Sequence, residues 1–198
     1  MTPLNQVGDK RSIRAVVMDS AERIMLEDGY AAVSYRNVAA TAAVSLGAVQ
    51  HHFPTLDDLF IAVLRRYGER NLERLVEALR ADPDDTLGIL WEYGGEEASA
   101  ALLMEFIALA NHRKRIHAEI TEVVKQSRQV QLKALTENWE RLDIPKEGLS
   151  PASVLVLIAS LPKWMLIEAS FGMTAGHAEI CALVLRYVNK PRHAPCPD

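Results

Sequence analysis

Apolar residues recur at helical spacing along most of this 198-residue chain, a pattern that predicts a protein built of α-helices. The first helix is predicted over residues 13–28, where Gly29 is suited to end it. Two shorter helices are predicted over residues 35–42 and 46–52, and a long helix over residues 56–81 follows them. The predicted order is therefore three closely spaced helices and then a long one.

The helical pattern continues after Pro83, which breaks the long helix. Five more helices are predicted, over residues 86–93, 96–111, 113–142, 151–170 and 174–189. The helix over residues 151–170 is apolar nearly all round, so other elements must cover it on several sides. One monomer of this size can hardly cover both of the last two helices. We therefore predict a homodimer in which residues 150–189 of two chains form a four-helix bundle.

The segment over residues 34–53 has the features of a helix-turn-helix. Ser34 and Ser45 each precede a short helix, and their hydroxyls can accept hydrogen bonds from its free N–H groups. Alanines crowd the junction, so the two helices can cross closely. Because the second helix of this motif enters the major groove of DNA, we predict that residues 46–52 read the bases.

The helix-turn-helix and its flanks resemble the N-terminal domain of TetR-family (tetracycline-repressor-like) transcription regulators. The matching residues include Ala21, Gly29, Tyr30, Ser34, Val38, Ala39, Ala42, Val44, Ser45, Gly47, Val49, His51, His52, Phe53, Thr55 and Leu59. The resemblance implies an all-α protein with a three-helix head and a larger helical body, about nine helices in all. We assign residues 1–55 to a DNA-binding domain, residues 56–190 to an effector-binding and dimerisation domain, and residues 191–198 to a disordered tail.

The residues predicted to contact DNA lie on the helix-turn-helix and at its borders. They are Ser34, Tyr35, Arg36, Ser45, Leu46, Gly47, Ala48, Gln50, His51, His52 and Thr55. Ser45, Leu46, Ala48, Gln50 and His51 are predicted to face the groove. Gln50 can pair with the N6 and N7 atoms of adenine. Tyr35, Arg36, His52 and Thr55 are predicted to contact phosphate or sugar, which fixes the register without reading the sequence.

Four positions depart from what the family usually carries. Glycine is usual at Ala43, an aromatic residue at Met25 and tyrosine at Gln50. Alanine suits the turn if its backbone stays near helical values. Lysine is common at Leu56, so its absence weakens the expectation of one phosphate contact.

Charge gives the DNA-binding prediction little support, because the chain carries a formal net charge of −4. Residues 1–56 hold as many acidic as basic side chains, which argues against a broadly basic nucleic-acid surface. Two alternatives therefore stay open. One is a helical sensor or protein-interaction module that has lost operator binding, and the other is a carrier of small molecules.

A small effector would bind in the helical body, where large apolar side chains occur on several helices. The candidates for ligand contact are Trp91, Met104, Phe106, Trp139, Trp164 and Met165. Methionine and aromatic residues suit adaptable apolar pockets, although such residues belong more often to a core or a dimer interface. Few charges interrupt these faces, so a mainly apolar effector is predicted.

No catalytic motif is present: the sequence has no nucleophile elbow, phosphate loop or zinc-protease motif. His51 and His52 are adjacent on a helix and point about 100° apart, so a metal is not expected. The most apolar run, residues 154–167, contains Pro162 and Lys163 and is predicted to be too short to cross a membrane. We expect a cytoplasmic, ligand-responsive repressor that is not an enzyme, has no cofactor and binds a pseudo-palindromic operator in double-stranded DNA as a dimer.

Overall fold

A computed structural model of the protein describes residues 12–188. Within that range the chain forms α-helices and three short 3-10 helices, and it forms no strand, which confirms the all-α prediction. The α-helices are α1 (Ile13–Asp28), α2 (Tyr35–Ala42), α3 (Leu46–His52), α4 (Leu56–Ala81), α5 (Thr86–Gly94), α6 (Glu97–Ala110), α7 (Lys114–Asn138), α8 (Pro151–Ser170) and α9 (His177–Leu185). The 3-10 helices are Tyr30–Ala32, Pro83–Asp85 and Trp139–Arg141.

The helices α1 to α4 and α8 have the predicted bounds. The predicted helix over residues 113–142 ends earlier, because Trp139–Arg141 tightens into a 3-10 helix. The last helix starts three residues later than predicted, because Gly176 at its N-cap has a φ of 86°. The predicted tail, residues 191–198, lies outside the described residues.

The chain divides into two compact units between Val63 and Leu64, a point within α4. We call the described residues 12–63 the head and residues 64–188 the body. The predicted domain boundary after residue 55 stays a prediction.

The core of the head is formed by side chains from each of its helices. Its fully buried members include Val17, Ala21, Val38, Val49, Leu59 and Val63. α1 packs against α2 and α3, and α2 packs against α3. These contacts fix which face of α3 turns inward.

Local hydrogen bonds set the ends of the head helices as the sequence predicts. The Ser34 hydroxyl accepts from the Asn37 N–H at 3.2 Å, and the Ser45 hydroxyl accepts from the Ala48 N–H at 3.1 Å. At the start of α4, the N–H of Asp58 donates to Thr55 Oγ1 at 3.1 Å, and the N–H of Thr55 donates to Asp58 Oδ2 at 3.1 Å. This reciprocal pair satisfies two N–H groups that the helix leaves free.

Ala43 departs from the expectation that its backbone stays near helical values. Its φ of 54° and ψ of 40° lie in the left-handed region, where it is the only non-glycine residue among residues 12–188 with positive φ. The reason is the turn between α2 and α3. The N–H of Ala43 donates to the Ala40 carbonyl at 3.2 Å and that of Val44 donates to the Ala39 carbonyl at 3.0 Å, as in a Schellman ending.

The core of the body lies around α5, which packs mainly against α8 and also against α7. Buried side chains of this core include Leu75, Leu90, Trp91, Leu135, Leu155 and Met165. Gly94 permits the approach of α5 to α8, since a Cβ there would lie 3.1 Å from the Ala159 carbonyl oxygen.

α8 is longer than the apolar run over residues 154–167, which is predicted to be too short to cross a membrane. By length and composition alone, the 20 residues of α8 could cross a membrane. In the protein, 33% of the apolar stretch that meets this criterion is buried. Several apolar side chains of α8, among them Val156, Leu157 and Trp164, remain exposed.

Candidate DNA-binding surface and ligand cavity

One face of α3 is anchored in the head and the opposite face is exposed. Val49 is fully buried, whereas Leu46, Gly47, Gln50 and His51 are exposed. With 3.6 residues per turn, Leu46 and Gln50 stack on one side of the helix. The exposed face thus carries three of the side chains predicted to reach base edges, those of Leu46, Gln50 and His51.

Gly47 lies on the first turn of α3, and no atom of the head packs against the position that its side chain would take. A Cβ built on Gly47 would meet no atom within 4 Å, and Gly47 is absent from the residues with positive φ. Alanine would favour the helix by ~1 kcal/mol at such a position. The packing and backbone of the head therefore do not require glycine here, and its bare backbone leaves the surface open to close approach.

The side chains around α3 differ in how far the head already engages them. Tyr35 Oη donates to the Phe53 carbonyl at 3.0 Å, and Thr55 Oγ1 donates to Asp58 Oδ2 at 2.6 Å. Arg36 is exposed at the start of α2 and makes no ion pair or hydrogen bond with the described residues. Among these predicted phosphate contacts, Arg36 is the cation available to an external anion.

Two further predicted contacts, Ala48 and His52, are half-buried. The rings of His51 and His52 meet edge to face with centroids 5.4 Å apart. Arg14 lies over the Phe53 ring at 5.1 Å, close to the end of α3.

The body contains a cavity of about 550 Å³, within the size range of small-molecule sites. Side chains from α4, α5, α6, α7 and α8 line it. They are Tyr67, Asn71, Tyr93, Ser99, Leu103, Val123, Val124, Ser127, Arg128, Gln131, Ala159, Ser160, Leu161, Lys163, Trp164 and Ile167. The cavity combines apolar walls with a limited number of polar groups, as ligand sites usually do.

Hydrogen bonds hold most of the polar side chains of the cavity in place. Tyr67 Oη donates to the Ser99 carbonyl at 2.9 Å, and Tyr93 Oη lies 3.1 Å from Ser127 Oγ. Gln131 Nε2 donates to the same Ser127 oxygen at 2.8 Å. Burial raises the pKa of Tyr67 to about 12, so its phenol stays neutral at physiological pH.

Two cations and no carboxylate line the cavity. Lys163 Nζ lies 5.9 Å from the centroid of the Tyr93 ring. Burial, and secondarily the charge of Arg128, lower the pKa of Lys163. Neither Lys163 nor Arg128 makes an ion pair or hydrogen bond with the described residues.

Glu96, which is hydrogen-bonded to the lining residue Ser99, is already paired. Glu96 accepts two hydrogen bonds from the Arg74 guanidinium, each 2.6 Å long, and one from the Ser99 hydroxyl at 3.0 Å. The hydrogen bonds from Arg74 are the main reason that the pKa of Glu96 is lowered.

Of the six residues predicted to contact a ligand, Trp164 lines this cavity. Trp91 and Met165 lie in the core around α5, and Trp139 packs half-buried against that core. Phe106 is fully buried next to the Tyr67 ring, with centroids 6.5 Å apart. Met104 is 44% exposed, and it does not line the cavity.

The polar residues of the cavity are not among the ligand contacts predicted from the sequence. Ser127, Arg128 and Gln131 lie on α7, which is polar over much of its length, so nothing in their pattern distinguishes them. Lys163 interrupts the apolar sequence of α8, and this interruption is the signal that could have pointed to the site.

The surface of α8 and α9 exposes several large apolar side chains. They include Val156, Leu157 and Trp164 on α8, Phe171 and Met173 in the α8–α9 connection, Leu183 on α9, and Tyr187 just after α9. Trp164 Nε1 donates to Glu168 Oε1 at 3.0 Å, and the other Glu168 oxygen lies 2.8 Å from Nε2 of the buried His177. This chain of contacts joins α8 to the start of α9.

Most of the head matches a known protein family. Residues 17–63 match the family described as bacterial regulatory proteins, tetR family. The match begins within α1, contains the whole helix-turn-helix and ends within α4.

Two relatives with similar sequences are transcription regulators by name. The chain is 30% identical over 113 residues to the HTH-type transcriptional regulator PksA of Bacillus subtilis, which covers 54% of this chain and 55% of that protein. It is 27% identical over 192 residues to the HTH-type transcriptional repressor AcnR of Corynebacterium glutamicum, covering 92% of this chain and 96% of that protein. The chain thus spans about half the length of the first relative and nearly all of the second.

Among solved structures, the multidrug binding protein EbrR complexed with imidazole has a similar fold. The TM-score is 0.60 at 26% sequence identity, and the match covers 93% of this chain and 99% of that one.

Proposed function

We propose that this chain, whose residues 17–63 match the tetR family of bacterial regulatory proteins, is a homodimeric, ligand-responsive transcriptional repressor. It binds a pseudo-palindromic operator in double-stranded DNA and is released by a mainly apolar small molecule. The observation that carries this proposal is the exposed face of α3, which presents Gln50 and His51 beside a bare Gly47 backbone.

The α3 helices of a dimer would enter successive major grooves, about 34–36 Å apart along the DNA. Gln50 suits the paired acceptor and donor of adenine, and the exposed Leu46 suits the methyl group of thymine. Arg36 provides a phosphate contact, since the described residues do not neutralise it. The full set from Ser34 to Thr55 is proposed as the DNA contact surface.

The cavity of the body is the proposed effector site. Its volume and mixed lining fit a small molecule, and the similar EbrR was solved with imidazole. α4 is a continuous helix that carries Leu59 in the head and Tyr67 and Asn71 in the cavity wall. A ligand that binds one arrangement of the body more tightly would bias α4 and lower operator affinity by that difference.

Dimerisation is proposed through the exposed apolar faces of α8 and α9. Contiguous apolar surface rimmed by polar residues usually marks an interaction site. Leu157 and Leu183 are about half exposed, at 51% and 46%. Two copies of this surface would cover each other in a two-fold bundle.

DNA binding is tested by fluorescence anisotropy of the full chain with labelled DNA from its own upstream intergenic region. Replacing Gln50 and His51 together by alanine should weaken binding at least ~30-fold, since a good base contact contributes about 1–3 kcal/mol. Glu27→Ala, a polar change on the exposed side of α1, is the matched control and should bind as the wild type does. Equal affinity of the double variant and the control would contradict the proposal.

Gly47→Ala separates folding from DNA contact in the same assay. The added methyl group meets nothing in the head, so thermal stability should stay equal or rise. Operator affinity should fall because the methyl group stands on the face that approaches DNA. An unchanged operator affinity would place the DNA on another face of α3.

Dimerisation is tested by light scattering coupled to gel filtration. Leu157→Glu and Leu183→Glu each place a charge in the proposed interface and should shift the protein to monomers. Ile107→Glu makes the same change at a residue of α6 that is 40% exposed, and it should stay dimeric. Monomeric wild-type protein at micromolar concentration would contradict the proposed dimer, and association with lipid vesicles would assign the exposed face of α8 to a membrane.

One feature favours a second function, a helical sensor that no longer binds an operator. Residues 1–56 carry five basic and five acidic side chains, and Leu56 stands where the family commonly has lysine. Selection from random double-stranded DNA decides between the two. An enriched palindrome supports the repressor, and no enrichment supports the sensor.

A further inference from the structure

We propose that the cavity of the body selects amphipathic anions, which have an apolar portion and one negative group that pairs with Lys163 and Arg128. This inference rests on the proposed function only in taking that cavity as the effector site. It adds the chemical class of the effector, which the predicted apolar character leaves open.

Lys163 is the first observation in support. It is a cation on the largely apolar helix α8, it lines the cavity, and its Nζ lies 5.9 Å from the centroid of the Tyr93 ring. No carboxylate among the described residues pairs with it. Burial opposes its positive charge, and an anion placed beside it would relieve that cost.

Arg128 is the second observation. It lines the same cavity from α7, and it is near enough for its charge to act on Lys163. It too makes no ion pair or hydrogen bond with the described residues. Two neighbouring cations of this kind form a site for one carboxylate, sulfonate or phosphate group.

The acidic side chains near the cavity do not offset these charges. No aspartate or glutamate lines it, and Glu96 behind the Ser99 wall is held by both arms of the Arg74 guanidinium. A cationic ligand would therefore meet two like charges and no free carboxylate in the lining.

The rest of the lining fits the apolar portion of such a ligand. Leu103, Val123, Val124, Leu161 and Ile167 provide aliphatic walls. The neutral phenols of the two lining tyrosines are engaged with Ser99 and Ser127. The cavity thus separates an apolar region from one pair of charges.

The experiment is isothermal titration calorimetry of the full chain with three ligands that share one apolar chain: decanoate, 1-decanol and decyltrimethylammonium, each below its micelle-forming concentration. A charge-assisted contact predicts that decanoate binds at least ~10-fold more tightly than decanol. Decyltrimethylammonium should bind most weakly. Equal affinities for the three, no binding of decanoate, or a preference for the ammonium would each overturn the proposal.

Variants assign the preference to the two cations. Lys163→Met and Arg128→Gln should each remove most of the advantage of decanoate over decanol, while decanol binding persists. Lys125→Met removes a lysine from an exposed part of α7 that does not line the cavity, and it should keep the full preference. If the preference survives both cavity variants, the anion binds elsewhere and the proposal is wrong.

These results can be told apart from a failure of the proposed function. Decanoate that binds through Lys163 but leaves operator affinity unchanged would support the anion site and contradict ligand control of DNA binding. Operator release by a ligand that binds equally well in all three forms would overturn the anion preference and support ligand control.

Discussion

The head and the body bury their apolar side chains to different degrees. The head encloses its core, with Val17, Val38 and Val49 fully buried, and presents its candidate residues on the outside of α3. The body keeps a cavity of about 550 Å³ inside and large exposed apolar side chains on α8 and α9. Close packing fixes the exposed face of α3 that we propose for DNA, whereas incomplete packing leaves the cavity that we propose for a ligand and the apolar surface that we propose for a second copy of the chain.

The largest expected effect tests whether the body, despite its cavity, depends on close packing. Phe106 is fully buried beside Tyr67, so Phe106→Ala should lower the free energy of unfolding by ~3–5 kcal/mol. Urea denaturation followed by circular dichroism measures it. Ile107→Ala, at the next position of α6 and 40% exposed, is the control and should change little, and a similarly small loss for Phe106→Ala would show a loosely packed body.

The next effect concerns the approach of α4 to α7, which form two cavity walls. A Cβ on Gly68 would lie 2.7 Å from Val123 Cγ1, and Val123 is a stiff β-branched residue. Gly68→Ala should therefore destabilise the protein by ~1 kcal/mol after the gain in helix propensity is subtracted.

The same change should become stabilising in a Val123→Ala background, because the steric conflict is then gone. A double-mutant cycle by urea denaturation measures this reversal of sign. Additive effects of the two substitutions would show that the two helices do not meet at this position.

In the head, a substitution of Ala43 should raise the free energy of unfolding instead of lowering it. Its left-handed backbone costs alanine ~1–2 kcal/mol more than glycine, and glycine loses part of that advantage through entropy in the unfolded chain. Ala43→Gly should raise the free energy of unfolding by about 0.5–1 kcal/mol. Ala40→Gly, on the exposed side of helical α2, should do the reverse, and stability falling in both would contradict the left-handed turn.

The smallest effect depends on pH and on the ion pair behind the cavity. The lowered pKa of Glu96 means that its stabilisation is complete above the usual carboxyl range and is lost as pH falls through the lowered value. Since the Glu96 side chain is 37% exposed, Glu96→Gln should cost under ~1 kcal/mol at pH 7.

Thermal unfolding between pH 7 and pH 3 measures this difference, and the wild type and Glu96→Gln should converge in acid. Glu97→Gln on the exposed side of α6 is the control and should follow the wild type throughout. A difference that persists at pH 3 would mean that Glu96 acts through packing instead of its charge.

The two regions also differ in how far their sequence predicts them. Ser34, Ser45, Gly29 and the Thr55–Asp58 pair act within three or four residues of their own position, so the bounds of α1 to α4 follow from local pattern. The cavity combines residues from Tyr67 to Ile167 on five helices. Which of them share a wall depends on helix packing, which a single sequence does not encode locally.

The predicted ligand contacts show that residue type does not determine which side chains line a cavity. Trp91, Phe106 and Met165 have the residue types of a pocket but fill the core of the body, because large apolar side chains are the usual material of both. The sequence pattern shows Lys163 only as an interruption of an apolar run, although Lys163 lines the cavity. Alanine by its residue type favours helical values, so the signal for the left-handed Ala43 was the glycine that the family usually has at this turn position.

We propose that a ligand bound in the cavity of the body controls how tightly the head binds DNA. The most direct test is the operator affinity of the wild-type chain, measured by anisotropy with and without saturating decanoate. We predict a decrease of ~5–150-fold, matched by an equal decrease of decanoate affinity when operator is saturating. Decanoate that binds in the cavity, as shown by weaker decanoate binding in Lys163→Met, without any change in operator affinity would contradict this proposal.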